Sequence, residues 1–429
     1  MSFLSRCLLT FFLFQGALAV AGNRALRRSQ QGNKALLPRL SFGQSNQSSS
    51  SVILNSTAQP STPSGNASKV VGGYWEGWNI QNPCGTMRPE EIPVDLYTHL
   101  MFSFGFITPK TYAVQPAPGT EESLFTQVVD VKKRNPNLKV IVALGGWTHT
   151  DPGPYRAVFT NLVSSSANRA TFIKNLLAFL AKFNFDGVDL DWEYPGVADR
   201  GGRPTDKENL AKLLQEIRQA FQNQYTLSIA APLPPVALEN YDMKATSEAV
   251  DWINVMAYDL HGLWESDKRA WGHTNMTDIS KGLNQLLQAG VAPSKMVLGL
   301  GFYGRSFKMA NPGCTRPGCK FTGPGDGGPC TRSAGTLAYH EIKDLIAHGA
   351  KPVFDQPGAA KYLSWGGNTT LTWGGNATNT TNWISYDDSQ TLRMKMGLAS
   401  TKGLRGVMSW AIDMDDQQRS LGHLLSSFR

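Results

Sequence analysis

Eight short apolar runs punctuate this 429-residue chain, and that repetition constrains its fold more than any other feature. They read VVGGYWEGW (70–78), THLMFSFGF (98–106), KVIVALGGW (139–147), FDGVDLDWE (185–193), YTLSIAAPL (225–233), DWINVMAYD (251–259), KMVLGLGFYG (295–304) and LRGVMSWAID (404–413). Helical patterns lie between most of them. ANRATFIKNLLAFLAKF (167–183) repeats apolar residues at i, i+3 and i+4, and TDKENLAKLLQEIRQAF (205–221) opens with Thr205 and Glu208 spaced as a capping box. Strand and helix alternating this often predict an α/β fold, a parallel (β/α)8 TIM barrel over 69–429. The structural competitor, a doubly wound open sheet, is disfavoured because no G-x-G-x-x-G follows the first run. The seventh and eighth runs are separated by far more chain than one crossover needs. Residues 307–381, rich in Gly, Thr and Asn, are expected to form a small inserted α+β subdomain on the barrel rim.

The fourth run carries the chemistry. Side chains on a strand alternate faces, so Asp189, Asp191 and Glu193 share one face while Val188, Leu190 and Trp192 share the other. A barrel strand packs its apolar outer face on helices, which turns the acids inward, near the strand's carboxyl end, where barrel enzymes keep their active sites. Carboxyls at steps of about 6.6 Å in a half-buried ladder cannot all ionise freely. At least one pKa must rise, which suits a general acid near neutral pH, and Glu193, longest and closest to the mouth, is the expected donor. A hard-oxygen metal site or a solvated acidic loop are the bland readings, and a loop leaves the alternation unexplained. Asp186 has the opposite parity and is expected to make a structural hydrogen bond.

The net charge of +8 is concentrated at the start. Without Arg6, Arg24, Arg27, Arg28, Lys34 and Arg39 the rest carries about +2, and no basic stripe interleaved with aromatics is present, so no nucleic-acid partner is expected. Residues 1–21 read as a signal peptide: CLLTFFLFQGALAVA follows a single Arg and ends in small residues, and it is shorter than the ~20 residues a membrane span needs. Residues 22–68 are basic and Ser/Thr/Pro-rich and read as a disordered linker or propeptide. The mature protein is expected to be secreted, off the membrane and monomeric. Cys84, Cys314, Cys319 and Cys330 then form disulfides, with three pairings open; a zinc site is disfavoured because no compact CxxC pair is present. Sequons at Asn46, Asn55, Asn66, Asn275, Asn368, Asn376 and Asn379 mark possible glycans.

DGVDLDWE, Asp186–Glu193, fits the DxxDxDxE signature of the family 18 glycoside hydrolases, the chitinases. GYWEGW resembles that family's first strand, FSFGF its second, ALGGW its SxGG segment, VMAYD its MxYD segment, GFYGR its YGR segment and GVMSWAIDMDD its closing strand. The resemblance runs from 70 to about 425. YWEGWN and the YGRSFKM…CTRPGC…GPC arrangement look most like the fungal subgroup compared with killer-toxin α-subunits.

The resemblance implies a retaining mechanism without an enzymic nucleophile. Glu193 would protonate the glycosidic oxygen, and the substrate's own 2-acetamido carbonyl would attack the anomeric carbon. Asp191 would orient the acetamido N–H, Asp189 would hold Asp191, and Tyr258 would hydrogen-bond the acetamido group. Asp259 would contact a neighbouring sugar. Pyranose rings present apolar C–H faces that stack on aromatics. By the same match Trp410 floors the subsite of bond cleavage, and Tyr74, Phe104, Gly146, Trp147, Met256, Tyr303 and Arg305 line the cleft, which Trp78 and Trp264 extend. Chitin or chitooligosaccharides are the implied partners, with no cofactor and no metal.

Three departures qualify the match. Ala143 stands where the family more often has Ser, APLPPVALENYDM lacks the expected aromatic-rich run, and HGLWESDKRAWGHTN is shorter than usual. Two other activities share these residues: an endo-β-N-acetylglucosaminidase acting on glycoproteins, and a catalytically weak chitin-binding lectin. The long insertion favours a deep groove over the first. The presence of all four of Asp189, Asp191, Glu193 and Tyr258 argues against the second.

Overall fold

The structure is a computed structural model that describes residues 69–367 and 380–429. The expected signal peptide and linker, and every sequon except Asn275, lie outside the described residues. Eight parallel strands close a barrel: β1 (Val70–Glu76), β2 (His99–Ile107), β3 (Lys139–Gly145), β4 (Gly187–Asp191), β5 (Thr226–Pro232), β6 (Trp252–Met256), β7 (Met296–Gly301) and β8 (Gly406–Trp410). Each pairs with its sequence neighbour, except that β8 follows β7 only after a long insertion, and β1 joins β8 and β2 to close the ring.

The barrel wall divides the apolar residues into two cores. Inside stand Val70, Met101, Ile141, Trp252, Val297 and Met408. Outside, Val71, Trp75, Val142, Val188, Leu190 and Val407 pack on the helices. The alternation of β4 is therefore resolved as its sequence predicts, with Val188 and Leu190 on the helix side. Trp192 continues the pattern past the strand end, buried and stacked on Phe159 at 5.2 Å.

The helices follow their apolar periodicity. Helix Ser166–Phe183 buries Phe172, Leu176, Phe179 and Leu180, is capped by the Ser165 hydroxyl, which accepts from the Asn168 N–H (3.2 Å), and stops at Asn184 in the left-handed conformation. Helix Asp206–Phe221 does not use the capping box expected of Thr205 and Glu208, because Thr205 already has helical angles and makes no side-chain cap. Asp206 serves that end instead. Its buried carboxylate accepts from the Arg203 N–H (2.6 Å), the Gly196 N–H (3.2 Å) and the Thr160 hydroxyl (2.5 Å). This ties the helix to the loop that follows β4.

Between β7 and β8 lies a six-stranded antiparallel sheet whose strands run from Tyr303 to Tyr386, with helix Tyr339–Ala347 beside it. Phe307 and Phe321 stack at 4.3 Å over Trp383 in its own small core. Cys314 pairs with Cys319, and Cys84 pairs with Cys330 across 246 residues. The second bond fastens the loop after β1 to the subdomain. Glu341 reinforces it by accepting from the Cys330, Thr331 and Ala338 N–H groups at 2.8–3.0 Å. Cys84→Ser is expected to cost about 2–4 kcal/mol by releasing this cross-link. Melting under non-reducing conditions checks it, and an unchanged Tm would contradict a structural role.

Candidate active site

Three carboxyls rise along one stave towards the carboxyl-terminal mouth. Asp189 is fully buried inside the barrel, Asp191 is 4% exposed at the end of β4, and Glu193 is half-buried two residues further on. The strand stops at Asp191, so Glu193 stands on the loop beyond it and not on the strand itself. The Glu193–Tyr194, Ser103–Phe104 and Trp410–Ala411 peptides are cis.

Asp189 is anchored from three strands. It accepts from the Tyr74 hydroxyl (2.6 Å, β1), the Ser228 hydroxyl (2.6 Å, β5) and Asn254 Nδ2 (3.0 Å, β6), which also reaches Tyr74 at 2.9 Å. Burial raises its pKa, and these bonds pull it part of the way back. Ala143, on the neighbouring strand β3, therefore leaves Asp189 well supplied with donors despite the missing hydroxyl.

Asp191 has fewer partners. Its Oδ1 is buried without a hydrogen bond among the described residues. Burial raises its pKa well above the usual carboxylate range, and the charges of Glu193 and Asp189 push it further. Glu193 is pushed up to about 7, chiefly by burial, with the Tyr194 hydroxyl and Arg200 opposing and Asp259 and Asp151 assisting. Burial and mutual repulsion thus favour the protonated form of at least one of these two adjoining carboxyls. An unpartnered oxygen and a loosely held proton are what a general acid beside a charge-sensing partner requires.

The close approach of β3 to β4 depends on the two glycines of ALGGW. The Gly146 N–H donates to the Asp191 carbonyl at 2.8 Å. A Cβ on Gly145 (φ +116°) would stand 2.1 Å from that same oxygen, and one on Gly146 (φ +79°) would stand 2.4 Å from the Phe104 ring. Only glycine allows both contacts at these angles.

An aromatic surface flanks the acids. Trp410 lies 5.4 Å from Tyr74 and 5.6 Å from Phe104, and Trp78 stacks on Phe104 at 6.0 Å. Met256 and Tyr258 complete this inner cluster, with Tyr258 edge-on to Tyr303 at 6.0 Å. Asp259 accepts from the Tyr303 hydroxyl (2.6 Å) and from Arg305 Nε (2.7 Å) and Nη2. Burial alone would raise its pKa, but Arg305 and His273 outweigh that and hold the carboxylate well below the usual range. Asp259 is thus a fixed negative charge and not a proton donor. Trp147 is 39% exposed with one face on Arg200. Trp264 stays outside the cluster: it is 45% exposed and folds over Gly262.

Sequence reasoning did not single out Ser228, Asn254 or Arg200. Ser228 and Asn254 could have been found by the parity that located Asp189, because the strand registers give both the same inward parity. Arg200 ends a single 3-10 turn, Ala198–Arg200, too short for any period to show.

A closed parallel barrel with adjoining carboxyls of raised pKa at the mouth of its fourth strand, bordered by aromatic faces, has the layout of a barrel enzyme with its site at the carboxyl-terminal face. The chain belongs to the glycosyl hydrolases family 18, whose model matches residues 70–415. It is 33% identical over 377 residues to an endochitinase of Manduca sexta, an alignment covering 81% of this chain and 64% of that protein, so it spans less than two thirds of that relative. It is 30% identical to chitotriosidase-1 of Mus musculus, over 82% of this chain and 74% of that one. Among solved structures it resembles catalytic domain 2 of the Ostrinia furnacalis Group II chitinase, a mutant in complex with (NAG)5. The TM-score is 0.72 at 28% identity, over 83% of this chain and 95% of that one.

Proposed function

We propose that this chain is a secreted chitinase that hydrolyses β-1,4-linked N-acetylglucosamine polymers with retention of configuration. The observation that carries the reading is the Asp191–Glu193 pair: one carboxyl at the mouth with its pKa near neutrality, the other just inside with an oxygen unspoken for. Glu193 protonates the leaving oxygen. The 2-acetamido carbonyl of the sugar attacks the anomeric carbon and closes an oxazolinium ring. Asp191 accepts the acetamido N–H and offsets the growing positive charge, while Asp189, held by Tyr74, Ser228 and Asn254, supports Asp191 from below. Glu193, now ionised, takes a proton from the water that opens the ring. Tyr258 steadies the acetamido group, Trp410 carries the distorted sugar, and Asp259, clamped by Arg305, contacts its neighbour.

The relatives' names and the oligosaccharide held by the Ostrinia structure support chitin as substrate. Placement in the fungal subgroup compared with killer-toxin α-subunits rests on YWEGWN and the cysteine arrangement. Export rests on the N-terminal apolar run, and no helix among the described residues is long and apolar enough to cross a membrane.

Digesting N-acetylglucosamine hexamers beside a high-mannose glycoprotein tests the substrate. Release of shorter oligomers is expected, and cleavage of the glycoprotein alone would reject chitin. The raised pKa of Glu193 also sets a pH dependence. The acid must be protonated to act, and burial keeps it so up to about 7, so kcat/KM is expected to fall as pH rises through that value. A basic limb near the ordinary carboxylate range would contradict the burial argument.

A further inference from the structure

Resting on the reading above, we propose that Arg200 is a positioning residue that locks the acid/base Glu193 and the sugar platform Trp147 into one rigid unit. The Arg200 side chain is 12% exposed and every edge of its guanidinium is used. Nε donates to the Glu193 carbonyl (3.2 Å) and to Thr150 Oγ1 (3.1 Å). Nη1 pairs with Asp151 (2.7 Å), and Nη2 reaches Thr150 Oγ1 (2.7 Å) and the Trp147 carbonyl. Its Cζ lies 3.8 Å from the Trp147 ring centroid. Thr150 closes the link by donating to the same Glu193 carbonyl at 2.6 Å.

Trp147 and Thr150 follow β3, while Glu193 follows β4. Arg200 thus joins two loops that the barrel alone would leave to move separately. It is itself held in place: Arg156 Nη2 binds the Asp199 carbonyl at 2.7 Å, and the chain turns away at Gly201 (φ +81°), where a Cβ would stand 2.5 Å from the Arg156 carbonyl. A planar fork that stacks and donates together is a property of arginine that lysine lacks.

Arg200 also brings positive charge to a crowded acidic site. The groups acting on Glu193 are Asp151 from the β3 loop, Tyr194 and Arg200 from its own loop, and Asp259 from the β6 loop; Asp191 below it and Tyr241 and Tyr258 beside it complete the set. Among these, Arg200 is the cation that favours the ionised form, so its charge keeps the acid from climbing further.

Arg200→Gln and Arg200→Lys separate the two contributions. In the glutamine variant, kcat/KM on the hexamer is expected to fall by about tenfold to hundredfold, with its basic limb moved to higher pH. Acrylamide quenching of Trp147, read as the difference lost in a Trp147→Phe background, is expected to rise. The lysine variant keeps a charge, so its limb is expected to stay while quenching rises. A glutamine variant whose limb does not move, or whose Trp147 is no more accessible than in the parent, overturns the proposal; a merely structural arginine would lower Tm and leave both unchanged. If the parent enzyme leaves every N-acetylglucosamine oligomer intact, the functional reading falls by itself. The Arg200 link is then decided by the quenching and by carboxyl 13C NMR titration of Glu193, neither of which needs turnover.

Discussion

Glu193→Gln is expected to lower kcat on N-acetylglucosamine oligomers by about 10³–10⁴-fold, ~4–5 kcal/mol of transition-state stabilisation, while leaving oligomer binding near that of the parent enzyme. Glutamine matches the size of the side chain and preserves a hydrogen bond to the glycosidic oxygen, but it has no proton to transfer. The loss exceeds that of a simple acid because the same carboxyl must later activate water. Neither neighbouring carboxyl is placed to substitute: Asp191 lies deeper, and Asp259 is held ionised by Arg305. Steady-state kinetics with calorimetric binding checks the split between kcat and KM. Turnover within tenfold of the parent would remove Glu193 from the role given to it.

Asp191→Asn is expected to cost about 10²–10³-fold in kcat, since it removes the buried negative charge that faces the developing oxazolinium ion. Its Oδ1 is buried and has no hydrogen-bond partner among the described residues, so the free protein gains little from that oxygen, and the substrate's N–H is the partner it lacks. A second consequence separates this role from simple support. Glu193 and Asp191 repel each other when both are ionised, which burial amplifies. With an uncharged amide at 191, Glu193 ionises more readily, and the basic limb of kcat/KM is expected to move to lower pH. An unshifted limb together with a mild loss of rate would argue that Asp191 neither shares the proton nor senses the charge.

The barrel and its carboxyl ladder could be read from the sequence because both follow from a period. Eight apolar runs fixed the strand count, and the parity of Val188, Leu190 and Trp192 sent Asp189 and Asp191 inward. Asp186, of opposite parity, accepts from the Val140 N–H (2.8 Å) and Lys132 (3.0 Å), the structural role expected of it. What the sequence did not disclose is what depends on contacts between distant segments. The anchors of Asp189 come from three other strands. The pairing of Cys84 with Cys330 depends on where a 246-residue detour returns. Thr205 had the composition of a cap, but Asp206, with three donors converging on it from other segments, took that work.

The configuration of the first product formed from an N-acetylglucosamine hexamer, followed by proton NMR before mutarotation, tests the central claim most directly. Attack by the acetamido group and then by water inverts the anomeric carbon twice, so the β-anomer is expected at the new reducing end. Initial release of the α-anomer would mean a single displacement by water, and the shared work of Asp191 and Glu193 described above would be wrong.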